Sequence, residues 1–487
     1  MKQLTEKNPQ SSHEQGAKPR ILRHGCWIAI LLLASGCLGR DRHKPSSSDP
    51  TGVQSSSREL WKATINTQQL GPLETFLILE RHGKQLRGHS LTGCLPEIQK
   101  LPKAQEGSSQ LQEHLFAFEA TQDPQFPNRY HGRLTAPWAE ENFHIQVDEA
   151  HLTGTIQHWL LGGEFEATLV DQSIVLRDYP AVLSSLDQTV PAKIFNPALL
   201  HRSEYQSFRT HLEAIAKAAN DDLDLVLGFH FAWENTPFSH FQLRRSDRTA
   251  KAMFQFFDQM DVGYEAARVT FEDQVAILRV DTMMGNDTIE QIRQAFQEIA
   301  NVGARALIID LRGNGGGAFA VKPLAEHVID EPITSGYFLS QKWDLAENGL
   351  PSREVLEATE VWDGWSISEF WRAVQELDIM KLRFEPQEPN FDGPVYLLVD
   401  QRSASATELA ADVFRSSGVA LLVGETTAGE MLSQSFFDLR ERFMISLPVA
   451  DYYSVRHGRI EGNGVTVDLP TSSGNAMTVA KQQLGIR

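Results

Sequence analysis

A chain of 487 residues exceeds what one hydrophobic core usually spans, so two or three domains are expected. Its 45 basic and 63 acidic residues leave a formal charge of −18, and no run of lysines is interleaved with aromatics, which argues against nucleic acid as a partner. The composition is otherwise that of an ordinary globular protein.

In chain order, Lys2, Lys7, Lys18, Arg20 and Arg23 precede an apolar stretch from Cys26 to Ala34, which ends at Ser35-Gly36-Cys37. This is a charged leader, a short apolar region and a small-residue cleavage site, too short to span a bilayer. The run Leu32-Leu33-Ala34-Ser35-Gly36-Cys37 resembles a bacterial lipoprotein signal, in which the cysteine becomes the lipidated first residue. A plain secretory signal or an uncleaved anchor is the alternative. Residues 1–37 are thus expected to export the protein and leave it on a membrane through lipid on Cys37, at the outer membrane or periplasmic face. Residues 38–57, rich in Ser, Pro, Gly and charge, are expected to form a tether. After cleavage only Cys37 and Cys94 remain, so no intramolecular disulfide is available. Paired cysteines and a His-Glu-x-x-His helix are both missing, so neither a metal nor a cofactor is expected.

Across 58–176, short alternating segments such as Phe76–Leu79, His131–Leu134 and Gly163–Leu169 are separated by Gly, Pro, Asn and Asp turns. They predict a small all-β sandwich or barrel with an accessory or docking role. Over 177–250 the pattern turns helical, with Phe208, Leu212, Ile215, Ala216 and Ala219 on one face, predicting a helical cap or linker. From 251 to 487 buried-strand runs (Val275–Val280, Ala306–Asp310, Val395–Val399, Ala420–Val423) alternate with helices, the signature of an α/β core. One of these helices is predicted to open at Asp287 with Glu290 as its capping partner, and another runs from Ala406 to about Ser416.

Three segments stand at the carboxyl ends of these strands, where an α/β fold places its loops. Asp310-Leu311-Arg312-Gly313-Asn314-Gly315-Gly316-Gly317 offers a glycine run whose N–H groups can turn towards a ligand, as an oxyanion hole requires. It is otherwise a tight turn, and no Lys-Ser/Thr follows to make it a phosphate loop. Ser403-Ala404-Ser405-Ala406-Thr407-Glu408 sets a serine at a helix start, near free amides and the positive end of the helix dipole, although serines there commonly serve only as caps. Gly424-Glu425-Thr426-Thr427-Ala428-Gly429 and the late Ile460-Glu461-Gly462-Asn463-Gly464-Val465 are, taken singly, glycine turns.

Together and in this order, over roughly His230 to Leu469, these segments resemble the tail-specific (C-terminal-processing) serine peptidases, a family that includes the tricorn core protease. The resemblance implies a crotonase-like, ββα-repeat α/β core and a peptide or unfolded-protein substrate. It implies Ser405 as nucleophile and an oxyanion hole made by Ala406 N–H with Gly316 or Gly317 N–H. The family's usual lysine base, twenty-five residues after the serine, is Glu430 in this chain. A lysine-free branch, to which tricorn belongs, uses histidine and acidic partners instead, which makes His240 the base and Glu461 its orienter. His457 and Glu425 are rival partners. Two further departures are Val467, where proline is usual, and a stretch from Arg245 to Phe271 too short for the PDZ module that many relatives insert. With the lysine gone, an inactive protein of the same fold that binds peptides or apolar ligands is the competing reading. An esterase of the α/β-hydrolase type is weaker, because no Gly-x-Ser-x-Gly surrounds any serine.

Overall fold

The computed structural model describes residues 58–485 apart from 68–69, 102–113, 137–138, 157–161, 171–175 and 234–235; the expected signal with Cys37 and the tether lie outside the described residues. Residues 58–169 form a closed barrel of eight antiparallel strands, in which Arg58–Thr67 pairs with both Gly71–His82 and Gly163–Leu169. The first strand shows why a barrel forms: Trp61, Ala63, Ile65 and Thr67 are buried at every second position, and closure leaves no edge open. The second strand departs from alternation, burying Thr75 through Leu79 without a break, because the helix Asp222–Ala232 covers its outer face. That helix is buried on nearly every side, as a helix between two layers must be.

The helices Tyr179–Lys193, Ser203–Ala218 and Asp222–Ala232 sit between the barrel and a strand of the second half, Phe443–Ser454, in one continuous core. Buried acids staple the layers. Asp221 caps the third helix through Asp224 N–H and also accepts from Thr75 Oγ and Phe76 N–H of the barrel. Asp222 pairs with Arg177 and Arg245.

The second half holds two sheets. One has the strand order Ala267–Glu272, Val275–Val280, Ala306–Asp310, Val395–Val399, Ala420–Gly424, Leu469–Pro470, and is parallel after its first, antiparallel pair. The other is a seven-stranded sheet around Phe443–Ser454, buried along its whole length, with Leu432–Asp438 at one end of its main run. The helix Asn286–Val302 buries Ile292, Phe296 and Ile299 as its spacing demands. Its predicted cap is corrected: the helix starts after Gly285, and the Asp287 carboxylate accepts from Val262 and Gly263 N–H rather than pairing with Glu290. The local spacing was that of a capping box, but a neighbouring loop supplies more donors.

Candidate active site

The loops after Ala306–Asp310, Val395–Val399 and Ala420–Gly424 leave the same edge of three adjacent parallel strands, which is why residues a hundred positions apart converge there. Ser405 stands at the junction of its loop with the helix Ala406–Ser417, at φ 54° and ψ −122°. A non-glycine residue in this region costs about 1–3 kcal/mol and persists only where its surroundings over-determine it. Here they do. Ser405 N–H donates to both Glu430 C=O and Glu408 Oε2, each at 3.1 Å, and Ala404 N–H donates to Asn314 C=O. Glu408 is fully buried; its carboxylate also accepts from Thr427 Oγ (2.6 Å), Gly429 N–H (2.7 Å) and Glu430 N–H (2.8 Å). Burial pushes its pKa up against those donors. One carboxylate thereby locks the third loop onto the serine loop.

His240, also left-handed at φ 58°, brings Nε2 within 3.3 Å of Ser405 Oγ. Its Nδ1 lies 2.7 Å from Ser239 Oγ, and Ser239 donates from Oγ to Glu461 Oε2 (3.1 Å) and from N–H to Oε1 (3.1 Å). Met431 N–H donates to Oε2 as well. Glu461, expected as the orienter of His240, reaches the imidazole only through Ser239, a residue that the motifs do not single out. An ionised carboxylate only accepts, so the Ser239 hydroxyl proton points at Glu461 and its lone pair is left for His240 Nδ1–H. The tautomer assigned in this way presents a bare Nε2 to Ser405. Burial lowers the imidazole pKa to about 4 and, aided by Asp451, raises the Glu461 pKa to about 7.

Gly316 as an oxyanion donor is also corrected, because its N–H is already bound to Asn314 Oδ1 at 2.9 Å. The role of Gly316 is steric: at φ 95°, an added Cβ would lie 2.8 Å from Ser405 Cβ and 2.9 Å from Ala406 N. Gly317 N–H makes no hydrogen bond among the described residues, and Ala406 N–H, first in its helix, is one of the amides a helix leaves unpaired. Gly317, Ala406, Ser405 and His240 line one cleft.

The rival residues do not enter it. His457 lines a separate cleft with Arg415 and Arg459, and Glu425 accepts from Ser473 N–H. Glu430 acts here through its main chain, which accepts from Ser405 N–H and donates to Glu408. No cluster of His, Cys, Asp and Glu among the described residues could hold a metal ion. Of the residues that sequence reasoning passed over, Glu408 had a signal, the serine-to-acid spacing of a helix cap. Ser239 had only its adjacency to His240.

The layout is that of a serine hydrolase centre: a strained serine, a neutral imidazole, a buried acid and two inward amides. Residues 274–471 match the model of peptidase family S41. The chain is 27% identical over 196 residues to a carboxyl-terminal-processing protease of Picosynechococcus, covering 40% of this chain and 39% of that one. It is 23% identical over 224 residues to a tail-specific protease of Haemophilus influenzae, covering 44% and 27%. Thus it spans well under half the length of these curated relatives. Among solved structures, a photosystem II D1 C-terminal processing protease aligns at 21% identity and TM-score 0.33 over 43% of this chain and 48% of that one. The tricorn protease aligns at 11% identity and TM-score 0.37 over 85% and 45%.

Proposed function

We propose that this protein is a serine peptidase, exported and held on a membrane through Cys37, that cleaves peptides through an acyl-enzyme on Ser405. The observation that carries the reading is the unbroken line Ser405, His240, Ser239, Glu461 beside two free N–H groups. In the first step Ser405 Oγ attacks the peptide carbonyl while its proton passes to His240 Nε2. The carbonyl oxygen, now negative, accepts from Ala406 and Gly317 N–H. Nε2–H then protonates the leaving amine, and water, deprotonated by the same nitrogen, releases the acyl group. The imidazolium that forms in each half is stabilised by the Glu461 charge, relayed through the Ser239 hydroxyl. This is the lysine-free arrangement: His240 takes the part of the missing lysine, and Glu430 need not supply a base.

The pH dependence tests the relay. His240 stays neutral above about pH 4, so its own titration does not limit the rate near neutrality. Glu461, with a pKa of about 7, gains its charge as pH rises through that value, and kcat/KM is expected to rise with it. Peptide hydrolysis measured across pH in wild type, Ser239→Ala and Glu461→Gln should show the inflection in wild type alone, with kcat in both variants down roughly 10²-fold. An inflection near 7 that survives in Glu461→Gln would refute the relay.

A further inference from the structure

The cleft that holds Ser405 is not an open trough. Beside Ala406 and Leu409 it is walled by Phe338, Phe370, Trp371 and Leu382. Three of these walls, Phe338, Trp371 and Leu382, are buried, and Phe370 is partly buried on the helix Ile367–Glu376. Phe338 and Phe370 meet edge to face at 5.5 Å, and Phe370 in turn packs on Phe319, another lining residue. Its polar lining groups are His240, Ser405, Ser433 and Gln434; the rest are apolar residues and glycines, and no Asp, Glu, Lys or Arg is among its lining residues.

Resting on the peptidase reading above, we infer that this cavity is the specificity pocket for the residue whose carbonyl Ser405 attacks, and that it selects large apolar side chains, aromatic or branched aliphatic. A bound ammonium or carboxylate would lose its hydration with nothing to replace it, which is costly in an apolar wall. A small side chain would leave the cavity unfilled and forgo the contacts that hold the carbonyl against the amides. The second wall supports an extended substrate: Met431 to Gln434 line the cleft, and Leu432–Asp438 ends its run of strands, with a register shift at Ser433/Gln434. A substrate strand lying along that edge would turn alternate side chains towards the apolar cavity.

The test is a series of peptides identical except at the residue before the cleaved bond, read as kcat/KM. Phe and Leu are expected to exceed Ala and Lys by roughly 10²-fold, the discrimination that a few buried methylenes supply. Phe370→Asp, which puts a charge into the wall from a partly buried helix position, is expected to shift preference towards Lys. Because that variant could fail to fold, peptide boronic acids ending in Phe, Ala or Lys are competed against fluorophosphonate labelling of wild type, with the Phe compound expected to protect best. Hydrolysis or labelling with Ala or Lys preferred would overturn the pocket assignment and leave the peptidase reading standing. Neither hydrolysis nor labelling of folded protein would overturn the peptidase reading, and the pocket assignment with it.

Discussion

Ser405→Ala is expected to lower kcat/KM for peptide hydrolysis by roughly 10⁵-fold while the protein stays folded. The size follows from what remains. The two amides and the cleft still bind and polarise a substrate, but among the described residues no other nucleophile is hydrogen-bonded to His240 Nε2, the nitrogen left to take a proton, so only water is left to attack. The fold should survive because the side chain is partly exposed, and because its backbone, held by Glu408 and Glu430 through N–H, keeps both bonds in the variant. Alanine at φ 54° carries the same steric penalty as serine, so no strain is added or relieved. Circular dichroism and the melting temperature should match wild type, and a variant retaining a tenth of the activity would remove Ser405 from the chemistry.

His240→Ala is expected to cost roughly 10⁴ in kcat with little change in KM, since the imidazole moves a proton and does not grip the substrate. The low pKa matters here. A histidine held neutral by burial is ready to accept a proton at any pH above about 4, but it becomes a strong enough base only when the growing positive charge is met by Glu461 through Ser239. Deleting the ring also leaves a hole beside Ser405 that free imidazole can enter. Partial restoration by added imidazole in His240→Ala, and none in Ser405→Ala, is the pattern expected of a base. A His240→Ala enzyme that lost substrate affinity instead of turnover would point to a packing residue.

How much of this was legible in the chain depended on the kind of interaction. The parallel strands were readable because each is buried on both faces and so carries an unbroken apolar run, as in Ala306–Asp310. The serine helix was readable from its first turn. The sheet around Phe443–Ser454 was not, because buried Ser446, Asp451 and Ser454 interrupt its apolar pattern and the strands it pairs with, Gly336–Ser340 and Gln242–Arg245, lie far away in sequence. The same reason hid Ser239: nothing local distinguishes a hydroxyl that bridges an imidazole to a carboxylate 222 positions later. Gly316 was misassigned because a glycine run shows where backbone can approach but not which N–H is already taken, and here the Asn314 side chain takes it. Glu408 could have been weighed more heavily, since an acid three residues after a helix-start serine has a ready use.

The most direct test of an activated serine is labelling of the purified protein with a fluorophosphonate, followed by intact mass and peptide mapping. The account predicts a single adduct on Ser405, absent from Ser405→Ala and formed far more slowly in His240→Ala. An adduct on a different serine, or no adduct on well-folded wild type at pH above about 7, where Glu461 is ionised, would contradict it.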